Sequence, residues 1–218
     1  MCGRYEIDIQ DPLMREVYDF LERQSSDDVV RPKFGEIFPT NMVPILTESR
    51  AETSSGASGP IPRVAAKPTV MTWGFTGFRS SSHTIINARG ETVTEKSMFS
   101  TSFEERRCII PATGFYEWSG QKGSRIRHEL RSEENGLIYM AGLWRPEQDS
   151  QRFVIITRAS VGEIESIHDR MPILVPRADV DGYLTDLELA SSWLVREPLL
   201  PRFVDGPPKL QEQSRLDL

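Results

Sequence analysis

The residue with the most distinctive chemistry is a cysteine at position 2, in the opening Met1-Cys2-Gly3-Arg4. Removal of Met1 would leave Cys2 with a free α-amine and a thiol on adjacent carbons. The ordinary pKa of an α-amine is near ~7.7–8.0 and that of a thiol near ~8.5, and a cation such as Arg4 lowers a thiol pKa. An aldehyde would form a Schiff base with the amine, and the sulfur would then close a five-membered thiazolidine ring. The position alone also fits an ordinary second residue or a small buried hydrophobic side chain.

Three further segments place polar side chains where a strand or helix end is predicted. Asn87 and Arg89 follow a short strand, Glu117 lies between two aromatic residues, and His168 ends a short predicted helix. Each residue has a structural interpretation too. Glu117 would then face solvent, His168 would cap a helix, Asn87 would brace a turn and Arg89 would join a surface ion pair worth about 0–1 kcal/mol.

Composition limits the classes of protein to which the chain can belong. The chain has 218 residues, 38% of them hydrophobic, and a formal net charge of −6, which disfavours general coating of nucleic acid but permits a local basic cleft. The two cysteines, Cys2 and Cys108, lack metal-ligand spacing and imply no disulfide framework, as in a reducing cytosol. Cys108 lies in an apolar strand pattern and is interpreted as a core residue. No signal peptide and no run of ~20 apolar residues is found.

The elements that must position these residues begin with a helix. Asp11 is predicted as its N-cap and Pro12 as its first residue. Residues 37–46 are interrupted by Pro39 and Pro44 and predict an irregular strand or loop, and residues 50–62 predict a flexible insertion. Strands are predicted at 70–74 and 84–87, and the pattern of 91–106 favours a helix.

The second half of the chain is predicted to be mostly β. Strands are expected at 107–111, 115–118, 126–130, 137–144 and 153–157. Ser160 and Glu163 have capping-box spacing before a short helix to about Ile167, one or two helices are expected over 177–195, and the tail from Pro201 is polar. Strands among helices without a regular βαβ alternation predict one mixed α+β domain over residues 1–218.

Four motifs in this order resemble the SOS-response-associated peptidase (SRAP) family. They are Met1-Cys2-Gly3-Arg4-Tyr5, Ile86-Asn87-Ala88-Arg89 with Glu91, Gly114-Phe115-Tyr116-Glu117-Trp118, and His168-Asp169-Arg170-Met171-Pro172. Further matching segments are Trp73-Gly74-Phe75, Met98-Phe99, Arg107-Cys108-Ile109-Ile110-Pro111 and Met140-Ala141-Gly142-Leu143. The resemblance covers most of residues 1–176.

The resemblance implies a compact α+β fold with a β-barrel-like core and a DNA-binding cleft. It implies crosslinking to abasic sites in single-stranded DNA through a self-processed N-terminal cysteine, with associated abasic-site lyase activity. The implied catalytic residues are Cys2, Asn87, Glu117 and His168. The implied DNA-binding residues are Arg4, Arg89, Trp118, Met98 and Pro39.

The chemistry of these residue types agrees with those roles. An abasic sugar is mostly a closed hemiacetal, and an imidazole suits its opening because its pKa is near ~6.5. A position at a helix C-terminus would favour protonated His168. Partial burial between Tyr116 and Trp118 would raise the pKa of Glu117 and suit it to proton exchange with the Cys2 amine.

One position departs from the family pattern. Many relatives carry an Asn shortly before the proline of the Pro39 segment, where this chain has Glu36 in Gly35-Glu36-Ile37-Phe38-Pro39. Acidic variants of this segment are familiar in the family, so the change does not imply loss of activity. It leaves the DNA role of residues 36–41 open.

The leading expectation is therefore a monomeric, cytoplasmic, nucleoid-associated bacterial enzyme that acts on abasic single-stranded DNA without cofactor, metal or membrane. A peptidase with an N-terminal nucleophile is one alternative, because Cys2, Glu117 and His168 resemble a nucleophile–base set. A non-catalytic single-strand-binding module is the other, and it would show strong salt dependence without dependence on Cys2.

Overall fold

A computed structural model describes residues 2–24, 32–49, 66–77, 80–121, 123–132, 136–148 and 150–205. The predicted insertion at 50–62 and most of the polar tail lie outside these residues. The helices are α1 (Pro12–Gln24), α2 (Ser100–Glu105), α3 (Val180–Thr185) and α4 (Leu187–Val195). The strands, in chain order, are β1 (Tyr5–Ile7), β2 (Gly35–Ile37), β3 (Met42–Glu48), β4 (Ala66–Trp73), β5 (Phe75–Gly77), β6 (Ser80–Ile85), β7 (Asn87–Arg89), β8 (Arg107–Ala112), β9 (Gly114–Ser119), β10 (Ile126–Arg131), β11 (Ile138–Glu147), β12 (Ser150–Ala159), β13 (Arg170–Pro172) and β14 (Arg202–Phe203).

Five strands close into a barrel in the order β11-β8-β3-β4-β12, because β12 pairs with β4 on one side and with β11 on the other. The β4–β12 pairing is parallel and the other four are antiparallel. Closure leaves the barrel without a free edge. The expected α+β class with a β-barrel-like core is confirmed.

The barrel strands read as nearly continuous apolar runs because both of their faces are buried. Neighbouring residues of β8 illustrate this: Ile110 belongs to the apolar cluster that contains Cys2, Tyr5 and α1, whereas Ile109 belongs to the cluster beneath α2, α3 and α4. Successive side chains of a strand point to opposite faces, so one strand contributes to both clusters. Cys108 is fully buried, as expected.

A second sheet, with the order β14-β10-β9-β1-β2, carries the N-terminus. In β1, Tyr5 pairs with Phe115 of β9 on one side and with Ile37 of β2 on the other. The start of the chain is therefore held beside β9, which contains Glu117.

Helix α1 confirms the prediction made for it. The Asp11 carboxylate accepts hydrogen bonds from the backbone N–H groups of Leu13 (2.9 Å) and Met14 (3.2 Å), which satisfies two donors that the helix cannot satisfy itself.

None of the helices in the described ranges has both the length and the apolar composition that a membrane span requires.

Three predicted elements were wrong. The helix expected at 91–106 is a 3₁₀ turn at Gly90–Thr92 followed by the short α2. The capping box at Ser160 does not form: its hydroxyl donates instead to the His168 carbonyl at 2.6 Å, and Gly162–Ser166 is a 3₁₀ turn. Residues 37–46 are irregular only in part, because Pro44 lies inside the regular strand β3, opposite Val70 of β4. On the other side of β3, β8 pairs only with Leu46 and Thr47, so no N–H is needed from position 44 on that side.

The short helices are tied to the barrel by one buried cation. The Arg107 guanidinium donates to the backbone carbonyls of Phe103, Glu104, Tyr183 and Leu184 at 2.7–3.0 Å. These carbonyls lie in the last turns of α2 and α3, where a helix leaves acceptors unpaired. Arg107 therefore joins two helix ends to β8.

Candidate active site

Cys2 lies three residues before the start of β1 and is 0% exposed. The Asn87 amide nitrogen donates to the Cys2 backbone carbonyl at 3.1 Å. Asn87 opens β7, which runs parallel to β12 with Asn87 opposite Ile155. The barrel therefore holds Asn87 in place, and Asn87 in turn holds the beginning of the chain.

Glu117 is 2% exposed in the middle of β9, so its interpretation as a solvent-facing residue is wrong. Burial raises the pKa of this carboxyl to about 7, Asp169 adds to the rise, and the positive amino terminus of the chain opposes it. The direction agrees with the prediction from the flanking aromatic residues. A carboxyl with a pKa near 7 can both take and give a proton at neutral pH.

The Cys2 thiol is not activated in this state. Burial raises its pKa well above the ordinary value, and the negative charge of Glu117 raises it further. The predicted net lowering of this pKa was wrong. Arg4 lowers it only through its backbone, and the Arg4 guanidinium lies against Glu36, with Nη1 3.3 Å from Oε1.

His168 follows the Gly162–Ser166 turn, and its Nδ1 has two neighbours. The backbone N–H of Arg170 donates to Nδ1 at 2.9 Å, and Asp169 Oδ1 lies 2.9 Å from the same atom. One nitrogen cannot accept from the N–H and donate to the carboxylate at once. The first contact therefore requires the neutral ring with its proton on Nε2. The second requires a proton on Nδ1, as in the protonated ring or in the other neutral tautomer.

The expected preference of His168 for its protonated form was wrong. Burial lowers its pKa, and the positive chain terminus lowers it further, while Asp169 acts in the opposite direction. The turn before His168 is a short 3₁₀ segment, so it provides little of the dipole that an α-helix C-terminus would supply.

The structure brings Arg4 and Trp118 together, two of the predicted DNA-binding residues. The Arg4 guanidinium carbon lies 4.2 Å from the ring centroid of Phe38 and 5.0 Å from that of Trp118. Pro39 follows Phe38 and is half-buried, and Thr40 after it has a φ of 73°, which is rare for a β-branched residue.

Arg89 and Met98 share a recess with Asn87. All three line a cavity of about 510 Å³ together with Lys96, Ser97, Phe99, Ile85, Thr157 and Arg170. Asn87 therefore connects Cys2 to a recess with several cations, and Arg4, two residues after Cys2, lies against an aromatic surface.

Sequence reasoning assigned no role to Arg170, although it lies in a recognised motif. Arg170 binds both carboxylate oxygens of Glu91, at 2.6 and 2.8 Å, and this hydrogen bonding lowers the pKa of Glu91 to about 2. It also donates to the Thr157 carbonyl at 2.7 Å. Glu91 and Arg170 thus join the turn after β7 to β12 and β13 at the edge of the cavity.

Sequence reasoning also missed Arg127, for which no motif provided a signal, and it left the role of Phe38 open with the rest of residues 36–41. Arg127 lies in β10 opposite Trp118 of β9. Phe38 follows β2 and lies beneath Arg4. Among the described residues, no group of three or more His, Cys, Asp or Glu side chains could hold a metal ion.

Comparison with known proteins gives a family match over most of the chain. The family model described as "SOS response associated peptidase (SRAP)" matches residues 1–203. The abasic site processing protein YoaM of Bacillus subtilis is 32% identical over 136 residues, 60% of this chain and 60% of that protein. The abasic site processing protein HMCES of Xenopus tropicalis is 32% identical over 113 residues, 41% of this chain and 34% of that protein.

The chain thus spans about three-fifths or less of the length of these relatives. A crystal structure of a Bordetella bronchiseptica protein is similar with a TM-score of 0.67 and 18% identity, covering 90% of this chain and 95% of that one. A Bacteroides thetaiotaomicron protein gives a TM-score of 0.66 at 18% identity, covering 88% and 86%. These two similarities show the fold.

Proposed function

The chain belongs to the SRAP family, and from that premise we propose that it processes abasic sites in single-stranded DNA by crosslinking to them through Cys2. The observation that carries the proposal is the hydrogen bond from Asn87 to the Cys2 carbonyl. Glu117 supports it, because this carboxyl is buried in β9, the strand that pairs with β1. The abasic-site function in the names of the relatives agrees with it.

The first step is hydrolysis of the bond between Met1 and Cys2, which consumes one water and leaves Cys2 with an α-amine. Glu117 is suited to accept a proton from the attacking water, because its pKa of about 7 leaves much of it ionised at neutral pH. The same carboxyl then faces the new amine.

The second step is attack on the sugar by nitrogen. His168 exchanges a proton with the sugar hydroxyl and ring oxygen, so the hemiacetal opens to the aldehyde. The neutral amine adds to the aldehyde carbon, and loss of one water gives the Schiff base. Nitrogen leads because burial keeps the Cys2 thiol protonated.

The third step closes the ring. The Cys2 sulfur adds to the imine carbon, its proton passes to nitrogen, and a thiazolidine forms without any oxidation. If the Schiff base instead loses a proton from the adjacent sugar carbon, elimination of the 3′ phosphate cleaves the strand, which is the lyase reaction. Within the described residues, the buried Asn87 amide oxygen accepts no hydrogen bond, so it can accept one from a sugar hydroxyl.

The test is adduct formation between the mature protein and single-stranded DNA bearing one abasic site, followed on a denaturing gel. We expect a stable adduct with wild type and none with Cys2→Ala. Cys108→Ala is the matched control, because it removes the other, equally buried thiol. The alanine variant keeps an α-amine, so a borohydride-trapped Schiff base can survive. Absence of an adduct with intact protein, or an undiminished one with Cys2→Ala, overturns the proposal.

The two alternative functions give different results. A peptidase would cleave a foreign peptide, whereas the proposed protein loses only its own Met1, as mass spectrometry would show. A single-strand-binding module would bind undamaged and abasic DNA equally, and replacing Cys2 would have no effect.

A further inference from the structure

Glu36 bridges two arginines beside the proposed DNA surface. Its Oε1 lies 3.3 Å from Arg4 Nη1 and 3.4 Å from Arg127 Nη1. The three side chains come from different parts of the second sheet: Arg4 precedes β1, Glu36 is in β2 and Arg127 is in β10. Strands β1 and β9 separate β2 from β10, so the side chains of Glu36 and Arg127 meet across a sheet face.

Aromatic rings fix the two cations in place. Arg4 lies against Phe38 and Trp118, and the Arg127 guanidinium carbon lies 4.5 Å from the ring centroid of Tyr116. A guanidinium packed on a ring keeps its N–H groups directed outward along the ring plane. Two guanidinium groups whose N–H donors converge on one oxygen form the kind of arrangement that binds an oxyanion.

The bridge is open to solvent. The side chains of Arg4, Glu36 and Arg127 are 33%, 34% and 51% exposed. An ion pair at such exposure is weak, so an incoming anion can exchange with the carboxylate.

We propose that Arg4 and Arg127 form a phosphodiester subsite for single-stranded DNA, and that Glu36 occupies it in the DNA-free protein as an internal competitor. This inference rests on the proposed function. A backbone phosphate carries the same charge as the carboxylate, so it must displace Glu36 to enter. Trp118, which lies opposite Arg127 in the β9–β10 ladder, then offers its ring to the adjacent base.

The subsite favours lesions over intact strands. Displacement of Glu36 weakens every non-covalent encounter, and only a strand that reacts with Cys2 is retained. The competing interpretation is that Glu36 positions Arg4 for DNA. The two interpretations predict opposite signs for the same variant, because loss of a competitor strengthens binding and loss of a positioning group weakens it.

The experiment measures binding of undamaged, fluorescently labelled single-stranded DNA by anisotropy at several salt concentrations. We expect Glu36→Gln to bind about 3–10-fold more tightly than wild type, and Arg127→Gln about 3–10-fold more weakly. Loss of one phosphate contact also makes the slope of log K against log salt shallower by about 0.7. In the Arg127→Gln background, Glu36→Gln should increase the affinity for DNA by a smaller factor than it does in wild type.

Matched controls account for charge and folding. Glu105→Gln removes the carboxylate at the end of α2, which pairs with Arg106. Arg15→Gln removes one exposed cation of α1. Both should leave the affinity within twofold of wild type. Arg127→Lys should keep the salt slope, because a lysine still neutralises a phosphate. Melting temperatures confirm that each variant is folded.

Weaker or unchanged binding by Glu36→Gln overturns the inference, as does an unchanged salt slope for Arg127→Gln. These measurements use undamaged DNA and need no reaction at Cys2. If wild type forms no adduct with abasic DNA, the proposed function fails while the affinities still test the subsite. If adducts form and Glu36→Gln binds no better, only the subsite fails.

Discussion

Burial sets the chemistry of the individual residues around Cys2. It raises the pKa of the Cys2 thiol, raises that of Glu117 to about 7 and lowers that of His168. Each shift favours the neutral form, as expected for groups removed from water. The site therefore holds a neutral thiol, a carboxyl that exchanges protons near pH 7 and an imidazole that is neutral there.

Glu117 should make stability depend on pH in a definite direction. Its folded pKa of about 7 exceeds the unfolded value of ~4.3, so the folded state binds the proton more tightly and loses stability as pH rises from about 4.5 to 7. Glu117→Gln removes this loss. We expect the free energy of unfolding of the variant to exceed that of wild type by about 1–3 kcal/mol at pH 7.5 and by little at pH 4.3. These two pH values lie on either side of the pI of 5.2. Thermal unfolding measures this difference, and an equal gain at both pH values would contradict it.

Asp169 should tune His168 without supporting the fold, because its side chain is 83% exposed. Its negative charge raises the pKa of His168, so Asp169→Asn should lower that pKa. The pH profile of adduct formation should then shift to lower pH, and the melting temperature should change little. NMR titration of the imidazole reports the shift directly. Asp205→Asn is the matched control, because Asp205 raises the pKa of His128 instead; a shift of His168 in that variant would count against the assignment.

At the scale of elements, the barrel and the second sheet together determine where the site can lie. Strand β12 fixes β7 and hence Asn87, while β9 fixes both β1 and Glu117. The short helices pack elsewhere and are joined to β8 through Arg107. Disturbing the barrel should therefore disturb the site indirectly.

Gly142 of β11 tests how tightly the barrel is packed. A Cβ at this position would meet Ile110 Cδ1 at 2.4 Å, the Val154 carbonyl oxygen at 2.8 Å and Cys108 Sγ at 3.0 Å. We expect Gly142→Ala to destabilise the protein by about 1–3 kcal/mol through overpacking. A matched change, Gly136→Ala, adds a methyl group with nothing within 4 Å and should be nearly neutral. Chemical denaturation compares the two, and equal stabilities would show that β11 can move away from its neighbours.

At the scale of the whole molecule, the charge is unfavourable for DNA. The chain carries a formal net charge of −6, and several arginines near the site are already paired with carboxylates, such as Arg4 with Glu36 and Arg170 with Glu91. Non-covalent attraction to a strand should therefore be weak and local, so under the proposed function retention of the strand would depend on the covalent bond.

Salt should separate these two contributions. With about three phosphate contacts, the affinity for undamaged single-stranded DNA should fall about 10–20-fold between 50 and 200 mM salt. The adduct with abasic DNA, once formed, should persist through a wash at about 1 M salt. Anisotropy and denaturing gels measure the two quantities. Affinity that does not depend on salt, or an adduct that salt dissociates, would contradict this account.

Local chemistry determined much of this protein. The Asp11 cap, the strand patterns of β8 to β12 and the four motifs identified the α+β class and the family, because capping, side-chain alternation and residue order depend only on neighbouring residues. The helix predicted at 91–106 failed because most of that segment adopts turns between the barrel and α2. The positions of Cys2, Asn87 and Glu117 relative to one another come from strand pairing between distant segments.

The tertiary structure alone decided which charges are buried and which meet. The sequence predicted that Arg4 would lower the Cys2 pKa and that a helix end would favour protonated His168, yet burial raised the first pKa and lowered the second. It gave no sign that Glu36 and Arg127, 91 positions apart, share a contact. Solvation and through-space charge depend on the packing of the whole chain, and so they cannot be read from the order of its residues.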